Sequence, residues 1–141
     1  MDQEDMDLRD YCILESQRLE TFKSWPFKAD APCCVSKMAE AGFYWCGNEH
    51  EIDTVACFVC GKSLDGWDAN DDPWAEHKKH APRCAFVNLG RAEKDLTVAE
   101  WLELVIQIKT YLINKQYDQM RKKVVKYCER KREELIKSIK G

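Results

Sequence analysis

Cys57 and Cys60 are separated by two residues, His77 follows Cys60 by seventeen positions, and Cys84 follows His77 by seven. Nothing else in the chain restricts its folding as tightly. A C-x-x-C pair lets both sulfurs turn toward one point, and a helix-borne histidine with a cysteine just past that helix completes a tetrahedron. This is the ligand spacing of a zinc site with Zn–S of about 2.3 Å. Four protein ligands would close the coordination sphere and leave no place for an activated water, so the expected zinc is structural and metal-assisted hydrolysis is disfavoured. Such an ion can contribute on the order of 10 kcal/mol to a small domain built of short elements.

Five cysteines remain: Cys12, Cys33, Cys34, Cys46 and Cys128. An odd remainder argues against a disulfide framework. Cys12 and Cys46 are expected as small buried apolar groups, Cys33 and Cys34 in a loop, and Cys128 on a helix. A cysteine nucleophile would need a histidine base, and with His77 assigned to the metal only His50 and His80 are left, so an enzyme is not the expected class. No stretch of eighteen apolar residues occurs, and the first residues (Met1, Asp2, Gln3, Glu4, Asp5) are acidic where a secretory signal would be positive. The chain reads as intracellular.

Charge and breakers divide the chain near Gly90. Residues 1–90 hold 9 Lys/Arg against 17 Asp/Glu, all four prolines and five of the six glycines, whereas residues 91–141 hold 13 Lys/Arg against 8 Asp/Glu and no proline. In the first part, Leu8, Tyr11, Cys12, Leu19 and Phe22 fall at roughly helical spacing before a turn at Trp25-Pro26. Val35, Met38 and Ala39 suggest a second helix, ended by Gly42 where positive φ is wanted. Short strands are expected at Phe43 to Trp45, Val55 to Phe58 and Lys62 to Leu64. Asp72 should cap a helix with Pro73 in its first turn, carrying His77 and His80, with Pro82 closing it.

The last fifty residues follow another pattern. Thr97 and Glu100 form a capping box, with Leu96 and Trp101 placed as a hydrophobic staple. Apolar residues recur at Trp101, Leu104, Val105, Ile108 and Leu112, then at Ile113, Tyr117, Met120, Val124, Tyr127, Leu135 and Ile139. Without a breaker the helix would run about 60 Å, too long to bury against a ninety-residue domain. Its stripe should therefore seek another chain, the alternative being a helical hairpin for which no Gly or Pro supplies the turn. The expected division is an N-terminal segment 1–14, a zinc domain 15–89, a linker 90–97 and a long amphipathic helix 98–140. The fold class is α+β.

These residues resemble the baculovirus inhibitor-of-apoptosis repeat (BIR) family. Arg18, Thr21-Phe22, Trp25-Pro26, Met38-Ala39, Ala41-Gly42-Phe43-Tyr44, Asp53, Cys57-Phe58-x-Cys60, Leu64, Trp67, Asp71-Asp72-Pro73, Glu76-His77 and Cys84-x-Phe86 fall in the family's order and spacing. The resemblance covers about residues 15 to 88, and one repeat followed by a long helix resembles the family's single-repeat members. It implies short helices around a three-stranded antiparallel sheet, stapled by one zinc ion. It also implies a groove that captures a free N-terminal amine preceding a small side chain. Asp65 and Asp71 would pair with the ammonium, while Leu64 and Trp67 would enclose an alanine methyl. From the residues alone, the preferred reading is that Asp71 and Asp72 merely begin a helix and Trp67 is core.

For single-repeat members the resemblance further implies binding of the histone H-three tail phosphorylated on its third residue, a threonine. Lys62 and His80 match the phosphate-side positions, where a phosphate would favour a protonated imidazole, and Glu51 would meet the tail's basic residues. Asp65 stands where a glutamate is common, keeping the charge with a shorter reach. The long helix is implied to bundle with borealin and the inner centromere protein, placing Aurora B kinase in the chromosomal passenger complex. The implied locations are nucleus, mitotic centromere, spindle midzone and midbody, and cytoplasm. Without those partners a homodimer would form through Met6, Leu96, Val98 and Trp101, with Leu104 and Ile108 further along the partner helix. Asp10 and Glu93 replace aromatic residues of that interface.

The alternative reading is an inhibitor of apoptosis that binds Ala-starting ends of pro-apoptotic proteins or restrains caspases. A third, DNA binding by the basic tail, competes with a solvated coiled-coil face. Leu89, Leu96 and Val98 could form an export series but fit linker packing better.

Overall fold

Gly42 is the pivot between helix and sheet. A computed structural model describes residues 12–141, and in it Gly42 has φ +92, a conformation that residues bearing a Cβ rarely adopt. A Cβ there would also lie 2.8 Å from the ring of Phe86. Helix α2 (Val35–Glu40) ends just before it, and strand β1 (Phe43–Trp45) leaves just after. β2 (Val55–Cys57) pairs antiparallel with β1, Phe43 opposite Cys57, and β3 (Ser63–Leu64) pairs antiparallel with β2, Val55 opposite Leu64. The sheet order is β1-β2-β3. All three β2 residues are buried, so this strand forms the centre of the core.

Helix α1 (Glu15–Thr21) starts later than its apolar spacing predicts. Leu8 and Tyr11 lie outside the described residues, and Cys12 adopts φ +58, outside any helix. The cause is Arg18. Its guanidinium is fully buried and takes the carbonyls of Ile13 at 2.7 Å and Cys12 at 3.3 Å, which a longer helix would need for its own ladder. Arg18 Nε donates to Ala39 O at 2.9 Å, tying α1 to α2, and its Cζ lies 4.2 Å from the Phe58 ring centroid. Burial lowers the Arg18 pKa, opposed chiefly by Glu93, whose carboxylate stands 3.7 Å away and also accepts the Glu15 N–H at 2.5 Å. The linker thus closes over α1 through a charge at Glu93.

Asp72 caps α3 (Pro73–His80) as its sequence predicts, its carboxylate accepting from the N–H groups of Trp74 and Ala75. A short helix α4 (Ala85–Leu89), absent from the sequence reading, follows Cys84 and ends at Gly90 with φ +64. Its Phe86 is fully buried between Phe58 and Trp74, with ring centroids 5.1 and 5.3 Å away. A single 3-10 turn (Glu93–Asp95) precedes α5 (Val98–Lys140). The capping box forms: Glu100 N donates to Thr97 Oγ1 at 3.2 Å, and Thr97 N donates to Glu100 Oε2 at 2.8 Å.

The chain forms two compact units, one ending at Ile108 and one from Lys109 to Gly141. Two expectations change in the first. Leu104 and Ile108, assigned to a partner interface, are buried in the chain itself at 1% exposure each, whereas Val98, Leu102 and Ile106 on the same helix are exposed. Of the two apolar series read along this helix, the first is buried at Leu104, Ile108 and Leu112, while the second, from Ile113 to Ile139, is exposed. Cys12 is half-buried and Cys46 exposed, where both were expected buried. Cys46 lies one residue past β1, where the strand's packed surface has ended, and Cys12 sits in the turn held by Arg18. Cys33 and Cys34 occupy the expected loop and are buried there; Cys128 is exposed on α5. Met6 lies outside the described residues, while Leu96 and Trp101 are half-buried.

Candidate functional site

The turn after β2 brings Cys57 and Cys60 together, α3 supplies His77, and the N-cap position of α4 supplies Cys84. Their ligand atoms all lie within 4.8 Å of one another. Cys57 Sγ and Cys84 Sγ are 3.8 Å apart, and Cys60 Sγ lies 3.9 Å from His77 Nε2. A tetrahedron with Zn–S of about 2.3 Å has S···S edges of about 3.8 Å, so the donor set fits the ion that the sequence spacing implies. His77 Nδ1 lies 2.8 Å from Ala41 O. A carbonyl only accepts, so Nδ1 carries a proton, and Nε2 is the nitrogen that faces the cluster and would give its lone pair to a bound ion. The Val59 N–H points at Cys57 Sγ, 3.3 Å away, a contact that favours a thiolate.

The four side chains shift one another's protonation. Burial pushes the Cys57 thiol well above its ordinary value, and its sulfur neighbours push it the same way. Cys84 moves down instead, because Cys57 and Cys60 donate to its thiolate. Burial opposes charge on His77, yet the hydrogen bonds of Cys60 and Cys84 raise it to about 9. One bound dication would replace these shared protons and satisfy every sulfur at once.

The Cys/His cluster stands behind a groove. Ring contacts run from His77 to Phe43 at 4.6 Å and from Phe43 to Trp67 at 5.6 Å, so the ligand histidine buttresses the groove wall. The groove, about 170 Å³, is lined by Lys62 to Trp67 from β3 and the turn after it, by Asp71 from the loop before α3, and by Glu76 and His80 of α3. The six groove positions expected from the resemblance, Lys62, Leu64, Asp65, Trp67, Asp71 and His80, all face this one space. Trp67 is only 7% exposed, so it is wall more than pocket, combining the core and groove roles. Its backbone N–H donates to Asp53 Oδ2 at 2.9 Å, which fixes the turn that carries Asp65. Asp71 Oδ2 accepts from the Asp68 N–H at 2.9 Å, which holds the carboxylate in place.

Glu76 was missed as a groove residue. It stands 3.2 Å from His80 Nε2 and 3.4 Å from Lys79 Nζ. The i,i+4 spacing of Glu76 and His80 was the available signal, since it places both side chains on one face of α3. With Asp65 and Asp71 the groove thus holds three carboxylates beside Lys62 and His80. Glu51 is not among its lining residues; it is exposed in the β1–β2 loop, where its N–H donates to Asn48 Oδ1.

Residues 18–88 match the family described as BIR: Inhibitor of Apoptosis domain. The chain is similar to survivin homologues named "Baculoviral IAP repeat-containing protein 5". The Mus musculus protein is 47% identical over 91 residues, covering 64% of this chain and 65% of its own length. The Rattus norvegicus protein is also 47% identical over 91 residues, 64% of each chain. A Xenopus tropicalis relative, protein 5.2, is 44% identical over 102 residues, 72% of this chain and 65% of its own. The match therefore spans a little under two thirds of these relatives' lengths.

Proposed function

From the premise that this chain belongs to the BIR, inhibitor-of-apoptosis domain family, we propose that it is a non-enzymatic adaptor with one end for a free protein N-terminus and another for partner helices. The observation that carries the reading is the coexistence, in one groove, of Asp65, Asp71 and Glu76 with Lys62 and His80. Carboxylates recognise an unblocked ammonium by charge-assisted hydrogen bonds, whereas an acetylated end offers neither the charge nor the donors. Leu64 and the edge of Trp67 limit the first side chain to a small one. Lys62 and His80 supply the cationic groups that a phosphate requires, and a dianionic phosphate would draw His80 from Glu76 toward itself. This charge pattern supports, as preferred ligand, the histone H-three tail phosphorylated on its third residue.

In this reading zinc is the metal held by Cys57, Cys60, His77 and Cys84, and its part is structural: it fixes β2, α3 and α4, and with them the groove. Helix α5 bundles with helices of borealin and the inner centromere protein, so that the adaptor places Aurora B kinase at centromeres and later at the spindle midzone for chromosome segregation and cytokinesis. The amine-binding half of the groove supports a second reading, binding of Ala-starting ends of pro-apoptotic proteins, because that half makes no demand on the third residue.

Calorimetric titration separates the two. A tail peptide with a free alanine end is compared in phosphorylated and unphosphorylated forms, beside an Ala-Val-Pro peptide. Lys62→Ala and His80→Ala should abolish the gain from phosphate and leave the Ala-Val-Pro affinity unchanged, whereas Asp71→Ala should weaken all three. A phosphate gain that survives both basic-site substitutions defeats the histone reading.

A further inference from the structure

The second compact unit, Lys109–Gly141, is helical to Lys140 and holds eleven Lys and Arg against four Asp and Glu, a net +7. Ile113, Tyr117, Met120, Val124 and Tyr127 alternate in steps of four and three, which at 3.6 residues per turn places them on one line. All are between 54% and 65% exposed. The spacing is that of a coiled-coil seam, with each apolar side chain available as a knob for a facing helix.

The charges around that seam are not evenly spread. Projected at 3.6 residues per turn, Arg121 and Arg132 run along one side of it, Lys123 and Arg130 along the other, and Lys131 lies in line with it. Asp118, Glu129 and Glu133 fall on the opposite face of the helix, where Lys115, Lys122 and Lys126 balance them. The one acid beside the seam, Glu134, pairs with Lys131 at 2.8 Å and Arg130 at 4.0 Å. Both rims of the seam between Ile113 and Arg132 are thus cationic. A second copy of the chain paired parallel and in register would set cation against cation along both rims from Arg121 to Arg132. We infer that residues 113–132 are covered by a helix of a different chain whose apolar seam is flanked by Glu or Asp, and that this stretch does not pair with itself in parallel register. The inference rests on the reading that α5 enters a helical bundle, and adds the charge pattern its partner must carry.

The full-length zinc-loaded protein is titrated with three synthetic helices that share one leucine seam and carry Glu, Gln or Lys at every flanking position. At about twofold per exposed ion pair and four flanking cations, the Glu helix should bind about sixteenfold more tightly than the Gln helix. The Lys helix should bind more weakly than either, and the differences should shrink in high salt. Reversing the rims with Arg121→Glu, Lys123→Glu, Arg130→Glu and Arg132→Glu together should invert the order while peptide binding in the groove stays unchanged. Equal affinity for the Glu and Lys helices overturns the charge assignment but leaves the bundle reading in place. Failure of all three helices to bind, with α5 intact by circular dichroism, overturns both. A duplex DNA oligonucleotide that binds and resists displacement by the Glu helix also overturns the inference, since the rims would then serve phosphate.

Discussion

Replacing Arg18 by lysine keeps the charge and removes the fork. The guanidinium donates to two buried carbonyls on different elements, Ala39 O at 2.9 Å and Ile13 O at 2.7 Å, while its plane lies over Phe58. A single ammonium can meet one of these carbonyls and not both. Losing a bond from a charged donor, with its buried acceptor left unpaired, costs about 3 kcal/mol. With a urea m-value of about 2 kcal/mol/M for a domain of this size, the midpoint should fall by about 1.5 M at constant free zinc. Glu93→Gln tests the same side chain from its other end: it removes the counter-charge 3.7 Å from a fully buried guanidinium while an amide oxygen can still accept the Glu15 N–H, and should cost roughly 1–3 kcal/mol. A midpoint for Arg18→Lys within about 0.3 M of the parent would refute the claim that this one side chain joins α1, α2 and the preceding turn.

Other consequences follow from the same geometry. Gly42→Ala should destabilise by roughly 2–4 kcal/mol in urea melts, because φ +92 and a Cβ 2.8 Å from Phe86 oppose it together; a neutral effect would contradict the packing described. Thr97→Ala should reduce stability by about 1 kcal/mol and fray the first turn of α5, visible as faster amide exchange at residues 99 and 100. Metal binding should release protons at pH 7. His77 without metal is raised to about 9 and the Cys57 thiol is raised by burial, so both hold protons that the ion displaces. Zinc affinity should accordingly fall as pH drops from 8 to 5, and apparent binding enthalpies should differ between buffers of different ionisation heat; identical enthalpies would argue against this site.

What the sequence disclosed depended on whether the information was local. The clustering of Cys57, Cys60, His77 and Cys84, the caps at Asp72 and Thr97, the bend at Gly42 and the three strands were legible, because each rests on residue types at short, fixed spacing. The start of α1 was not, since it is set by Arg18 reaching carbonyls of the preceding turn, and an arginine's burial leaves no periodic trace. Helix α4 was hidden by its brevity: five residues hold too little periodicity to register, and its end is set by Gly90, which reads equally as a linker residue. In α5 both apolar series were visible, but which of them the chain buries is a tertiary matter that moved Leu104 and Ile108 inside. Glu76 was overlooked in the groove because its neighbour His77 carried the stronger signal.

The central claim is that the acidic groove recognises an unblocked N-terminus. The most direct measurement is the ratio of affinities for one histone-tail peptide with its alanine end free and acetylated, on the zinc-loaded protein. Loss of a charge-assisted pair with Asp65 and Asp71 predicts at least about tenfold weaker binding of the acetylated form, and Asp71→Asn should shrink that ratio. Equal affinity for the two peptides would contradict the account.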